Sequence, residues 1–201
     1  MPTLYDLKPA FQGLLRPLTS SLANAGFTAN QVTVAAAIMS VAAASLAAAF
    51  PTNRAIWLVI PVVLFLRMAL NAIDGMLARE HGQASTLGMY LNELCDVASD
   101  LALILAFVAV PVFPAWGVVA FAITAITTEF AGALGIPAGI GRNYAGPFGK
   151  SDRAFALGLI AVLLAIGLPI GAIAPYIFPL LAVLSLLTIV NRVRAGLRPA
   201  P

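Results

Sequence analysis

Arg67, Asn71, Asp74 and Ala78 follow one another at four, three and four residues, the spacing at which side chains share one face of a helix. Asn92, Asp96, Ser99 and Asp100 make a second such face, and Glu93 lies about 100° round from Asn92 by the 3.6-residue period. Two polar stripes on consecutive helices can meet, and Asp and Asn at these intervals present several oxygens toward one point. That is chemistry for a hard divalent cation, which takes oxygen ligands; magnesium is commonly held by a few carboxylates together with substrate phosphate oxygens. Gly75, Gly82 and Gly88 leave room at the same level for a bulky ligand. Arg79 stands one turn beyond Asp74, where a phosphate held by the metal would also meet a guanidinium.

These groups are conspicuous against the rest of the chain. The 201 residues are 61% apolar and 9% charged, with a mean hydropathy of +0.99, which excludes a water-soluble globular domain. Only eight acids occur, and five of them (Asp74, Glu80, Glu93, Asp96, Asp100) fall within 27 residues. Polar groups in membrane bundles often serve only to hydrogen-bond across helices, and Arg67 could simply neutralise Asp74 or Asp100. Three aspartates, a glutamate, two asparagines and an arginine at one depth instead point to a functional site.

The elements that must position them are helices. Six apolar segments run from Gln31 to Phe50, Ala55 to Ala78, Leu87 to Val110, Trp116 to Leu134, Ala154 to Leu168 and Ile173 to Val190, separated by loops of proline, glycine or charge. The predicted fold is all-α: a polytopic membrane protein with six transmembrane helices. Ahead of them, Leu4, Leu7, Phe11, Leu14, Leu15 and Leu18 recur near a helical period over Leu4 to Leu22, as an amphipathic helix lying in the membrane interface would have them. Pro9 and Pro17 count against it, unless Pro9 marks the beginning of the helix. The organisation is a single membrane domain over 1–201: interfacial helix and lead-in over 1–29, six-helix bundle over 30–194, and tail over 195–201.

With the N-terminus in the cytoplasm, that side receives Lys8, Arg16, Arg79, Arg142, Lys150, Arg153, Arg192, Arg194 and Arg198, and the other side Arg54 alone. Both termini and the polar site are therefore expected on the cytoplasmic side, the expected location being the inner (plasma) membrane of a bacterium. The basic residues are scattered in ones and twos and form no phosphate-tracking stripe, so nucleic acid is not an expected partner. The N-terminal stretch lacks a signal peptide's layout, leaving the first span as the insertion signal. Cys95 is the one cysteine and forms no intrachain disulfide. Alanine triplets in the first span (Ala35–Ala37, Ala42–Ala44, Ala47–Ala49) suit close helix packing in lipid.

From Asn71 to Asp96 the chain closely resembles the signature of the CDP-alcohol phosphotransferase family, D-x2-D-G-x2-A-R-x8-G-x3-D-x3-D. Every spacing matches, and Asp74, Gly75, Ala78, Arg79, Gly88 and Asp96 supply six of the eight fixed letters. Asn71 and Asn92 stand where the first and third aspartates are usual, each removing one negative charge; Glu93 and Asp100 flank the motif and are candidates to restore it. Thr28-Ala29-Asn30-Gln31-Val32-Thr33 is similar to the family's P-N-x-x-T element, with Ala29 in place of proline. The segment Gly146 to Arg153, with Arg142, is similar to basic segments near the acceptor pocket of relatives.

The resemblance implies transfer of a phosphatidyl or similar group from a CDP-linked lipid to an alcohol, with release of CMP, in phospholipid biosynthesis. It implies Asp96 as the general base and Asp74, Asn71, Asn92 and Asp96 at a Mg2+ or Mn2+ site. Asn30, Thr33, Gly75, Ala78, Arg79 and Gly88 would lie around the CDP moiety. A homodimer is implied, in contact with membrane lipids. Arg142, Lys150 and Arg153 would suit a phosphorylated polyol as acceptor, although each could equally be an ordinary cytoplasmic anchor; a small unphosphorylated alcohol is the other acceptor class. Glu129, an acid inside the fourth span, would pair with Arg67 or belong to the acceptor pocket. Two other readings of the chain are a family member that binds lipid or nucleotide without turnover, and an ion-coupled transporter.

Overall fold

The structure, a computed structural model, describes the backbone of residues 4–197 and the side chains of residues 10–197. The side chains of Leu4, Asp6, Leu7 and Lys8, and the whole of Arg198, fall outside the described residues.

Seven α-helices follow one another among the described residues: α1 (Leu4–Asn24), α2 (Ala29–Ala49), α3 (Val59–Glu80), α4 (Thr86–Leu105), α5 (Ala115–Ala133), α6 (Lys150–Ile166) and α7 (Ala174–Gly196). Two 3-10 turns, Arg54–Leu58 and Ala106–Ala109, precede α3 and follow α4. A helix lies over each of the six apolar segments. Four stretches are long and apolar enough to cross a membrane: Ala29–Ala49, Arg54–Glu80, Ala115–Ala133 and Ala174–Gly196. Of the other two expected spans, α4 carries Glu93, Asp96 and Asp100. The 17 residues of α6 include Lys150, Asp152 and Arg153 in their first turn.

Several starts and stops have plain local causes. At the entry to α2, Thr28 Oγ1 accepts from the backbone N–H of Gln31 at 3.2 Å while Gln31 Oε1 accepts from that of Thr28 at 2.9 Å, a reciprocal capping box. Ser85 Oγ caps α4 by accepting from the N–H of Gly88 at 3.0 Å. Helix α6 begins four residues earlier than the hydropathy indicates, because Asp152 Oδ2 accepts from the Gly149 N–H at 2.8 Å and turns the charged segment into a first helical turn. It ends at Gly167, whose φ of 71° is the left-handed conformation that glycine adopts without a Cβ penalty. Contrary to the expectation from its two prolines, α1 starts at Leu4 and continues through both Pro9 and Pro17.

The chain packs as two compact units. The first comprises the described part of Met1–Ala42 together with Val62–Ser99, and the second Ala43–Pro61 with the described part of Asp100–Pro201. In the first, Ala29 and Val32 of α2 pack on Ile73 and Leu77 of α3, and Leu15, Leu22 and Ala23 bring α1 onto the same cluster. Thr19, at the centre of that α1 face, is buried, with its hydroxyl 3.9 Å from the Met76 sulfur. Arg16 also reaches the end of α3, donating to both carboxylate oxygens of Glu80 at 3.1 and 3.0 Å. The hydrogen bond to Glu80 raises the guanidinium's pKa, although so exposed a pair contributes little to stability.

The second unit is built on aromatic packing. Phe107 contacts Trp57, Phe113 and Phe178 with ring centroids 4.8, 6.1 and 5.3 Å apart, and Phe121 extends the cluster to Phe148 at 6.2 Å. Helices α5 and α7 lie closely side by side, and Gly117 is the reason they can: a Cβ there would sit 2.8 Å from the Pro179 ring.

Candidate active site

In the first unit the motif residues meet through side-chain hydrogen bonds between α2, α3 and α4. Asp74 is buried, and its Oδ2 accepts from Thr33 Oγ1 at 2.7 Å. Asp96, with a side chain 25% exposed, is held by two residues of α3: Arg67 Nη2 donates to Oδ1 at 2.9 Å and Asn71 Nδ2 to the same oxygen at 3.1 Å. Arg67 Nη2 also reaches the Asp96 carbonyl at 3.0 Å. Arg67 and Asn71 of the α3 stripe therefore do face Asp96, while Asp74 meets Thr33 of α2. Arg67, one turn before Asn71 on α3, and Asn71 are thus aimed at the same carboxylate, that of Asp96.

The remaining motif positions are shaped by close approach. A Cβ at Gly88 would lie 2.8 Å from Asn30 Oδ1, so glycine is what lets α4 come against the polar N-terminus of α2. A Cβ at Gly75 would lie 2.9 Å from an Arg79 guanidinium nitrogen, which folds back over that glycine. Ala78 packs half-buried against the apolar cluster of Ala29, Val32, Ile73 and Leu77, so its small size serves the approach of α2 and α3. Gln83, in the eight-residue spacer of the motif, was not anticipated: its Oε1 accepts from the Ala29 N–H at 2.7 Å and its Nε2 donates to the Phe27 carbonyl at 3.2 Å. A polar residue in a short loop gives no periodic signal by which to find it. Asn92 and Glu93 are both half-buried on α4.

Among the described residues no group of three or more His, Cys, Asp or Glu is placed to hold a metal ion, and Asp100 faces Arg153 at 3.4 Å. As a donor set, Asp74 and Asp96 with Asn71 and Asn92 on the same two helices suit one magnesium-like ion, which takes one or two carboxylates and leaves its other positions to water and phosphate.

A second polar cluster, which brings Arg142 and Arg153 of the expected acceptor residues together with Glu129, lies in the other unit around Glu129 of α5. Glu129 Oε1 accepts from Arg153 Nη2 at 2.8 Å and Oε2 from Arg142 Nη2 at 3.0 Å, while Arg192 Nη1 stands 3.7 Å from Oε1. Arg153, 2% exposed, also donates through Nη1 to Thr128 Oγ1 at 2.9 Å. Arg192 donates to the Thr128 carbonyl, and the Arg142 guanidinium lies 5.7 Å over the Tyr144 ring. Glu129 thus pairs with three arginines and not with Arg67. Lys150 opens α6, half-buried.

Gly132 makes the room. A Cβ there would lie 2.8 Å from Arg192 Nη1 and 2.8 Å from the Asn143 carbonyl oxygen, and the Gly132 carbonyl accepts the Asn143 N–H at 3.0 Å. Gly132→Ala must displace backbone as well as the guanidinium. We expect it to destabilise the protein by about 1–3 kcal/mol, seen as a lower melting temperature in detergent.

The all-helical fold, with four stretches apolar enough to cross a membrane and acids held by arginine and amide, is of the kind a membrane enzyme would have. The sequence pattern of the CDP-alcohol phosphatidyltransferase family matches residues 27–190, and the chain belongs to that family. It is accordingly a transferase of phospholipid synthesis. It is 44% identical over 195 residues to the inner membrane protein YnbA of Escherichia coli, covering 97% of this chain and 96% of that one. A phosphatidylinositol phosphate synthase of Mycobacteroides abscessus is 34% identical over 126 residues, covering 61% of this chain and 55% of that protein. Among solved structures, Mycobacterium tuberculosis phosphatidylinositol phosphate synthase with CDP-DAG bound has the same fold, with a TM-score of 0.72 at 21% identity over 92% of this chain and 97% of that chain. The same synthase in complex with manganese and citrate gives a TM-score of 0.71 at 21% identity, over 92% of each chain. Together with the four apolar helices, the YnbA likeness marks an integral membrane protein.

Proposed function

We propose that this protein transfers a phosphatidyl group from a CDP-linked lipid to a phosphorylated polyol, releasing CMP, with Asp96 as general base. The observation that carries the reading is the double hold on Asp96 Oδ1 by Arg67 and Asn71, which keeps a carboxylate in one orientation on α4 within the family motif. The acceptor hydroxyl gives its proton to Asp96 as its oxygen bonds to the lipid-bearing phosphorus, and the bond from that phosphorus to CMP breaks. Arg79, folded over Gly75, is placed to meet the diphosphate, and Asn30 and Thr33 line the nucleotide side.

Asp74, Asp96, Asn71 and Asn92 would hold one Mg2+ or Mn2+, with Glu93 replacing charge that the two asparagines lack; Asp100 is engaged by Arg153. When bound, such a cation draws negative charge from the phosphate oxygens. We read α2 to α7 as six membrane crossings, α1 as lying in the interface, and the basic loops, both termini and the site as cytoplasmic. The homodimer implied by the family completes this reading.

The acceptor class rests on Arg142, Arg153 and Arg192. Arg153 Nε is buried with no acceptor among the described residues, so an anionic oxygen arriving here would satisfy it. A panel of acceptors tests the assignment: CMP release with CDP-diacylglycerol and magnesium should occur with glycerol 3-phosphate or an inositol phosphate and not with glycerol or inositol. The reverse preference would remove the arginines from the acceptor site.

A further inference from the structure

Glu129 has no part in the chemistry just described, yet it is the focus of the second polar cluster. Its side chain is 12% exposed, and its two oxygens take hydrogen bonds from different elements: Oε1 from Arg153 of α6 and Oε2 from Arg142 of the loop after α5. Arg192 of α7 stands 3.7 Å from Oε1. A carboxylate at the meeting point of three guanidiniums occupies the position that the oxygens of a phosphate ester would seek, since both offer a pair of anionic oxygens to arginine's planar fork. A phosphomonoester brings about 1.5 to 2 negative charges at neutral pH. Such a group and the Glu129 carboxylate call on the same donors, Arg142 and Arg153.

We propose that Glu129 is a specificity-determining residue of the acceptor site, an internal carboxylate that competes with the acceptor's anionic group for Arg142 and Arg153. The inference rests on the reading of the arginine cluster as the acceptor site. In the empty site Glu129 keeps three cations together and prevents their mutual repulsion. On binding, the acceptor takes over donors from Glu129, so its affinity is set below what three arginines alone would give. A weakly charged anion cannot make the exchange favourable. Thr128, beside Glu129 on α5, holds Arg153 Nη1 and Arg192 Nη1 from the other side, so the guanidiniums keep their places while Glu129 yields.

The test uses the full-length protein in detergent and measures protection against thermal unfolding by inorganic phosphate and by glycerol 3-phosphate, with glycerol as the neutral control. Removing one charge within ion-pair distance should tighten phosphate binding by at least about tenfold in Glu129→Gln, with no change for glycerol. Glu129→Asp, one methylene shorter, cannot span Arg142 and Arg153 together and should gain about threefold, which keeps the proposal testable if the Gln variant does not fold. Adding Arg153→Lys should abolish either gain, placing the bound phosphate at this cluster. Phosphate binding in the wild type that neither variant strengthens would overturn the role of Glu129 and leave the acceptor reading standing. No phosphate binding in the wild type or in either variant would overturn both.

Discussion

Asp96→Asn is expected to lower CMP release by at least about 10³-fold, within the range a positioned general base contributes, while the protein stays folded and monodisperse in detergent. The asparagine has nearly the shape of the aspartate, and its Oδ1 can still accept from Arg67 and Asn71, but it cannot take the acceptor's proton. The substitution does remove the carboxylate paired with a buried guanidinium, a change that costs about 3–5 kcal/mol when the pair is wholly buried. Asp96 keeps 25% of its side chain accessible and the amide remains a hydrogen-bond acceptor, so the cost falls below that range. Chromatographic quantification of CMP beside a gel-filtration profile separates the two effects. Turnover within tenfold of wild type in a folded variant would place the base elsewhere.

The second large effect concerns Arg153. Its guanidinium spans Thr128 Oγ1 at 2.9 Å, Glu129 Oε1 at 2.8 Å and Asp100 Oδ2 at 3.4 Å, which a point-charge ammonium cannot reproduce. Arg153→Lys preserves the charge and loses at least one charge-assisted hydrogen bond, about 1.5–3 kcal/mol. That converts to an increase of about 10- to 150-fold in the acceptor's KM. The KM for the CDP-linked lipid should not move, since in this account its binding residues lie elsewhere. A raised lipid KM with an unchanged acceptor KM would reverse the two roles.

The sequence carried the helices and the motif well because both are written as periodicities and spacings. Asp74, Asn71 and Asp96 could be assigned to facing stripes from the three- and four-residue intervals alone, and the structure pairs Asn71 with Asp96. What periodicity does not specify is which neighbour a face will meet. Arg67 was legible as a buried cation in need of a partner, but periodicity leaves several acids open to it, and it is packing that brings Asp96 Oδ1 to 2.9 Å from its Nη2. Glu129 stood alone in an apolar helix, while its partners Arg142, Arg153 and Arg192 come from 13 to 63 residues away.

The boundary errors have similar causes. The charged segment before Ala154 has the composition of a loop, yet Asp152 caps its own helix and carries Arg153 into a buried position. Gly132 and Gly88 were visible as glycines, but the groups that press against them, Arg192 and Asn30, belong to helices distant in sequence. Gln83 shows the limit most plainly: its two hydrogen bonds to the Phe27–Ala29 backbone leave no trace in local pattern.

The most direct test of the account is a single reconstitution. Purified protein in lipid vesicles would be given CDP-diacylglycerol, magnesium and glycerol 3-phosphate or an inositol phosphate, with CMP and the new phosphodiester both quantified. The account predicts that the two products appear in equal amounts and only when donor, acceptor and divalent cation are all present. Binding of the CDP-lipid without CMP release from any acceptor would contradict it.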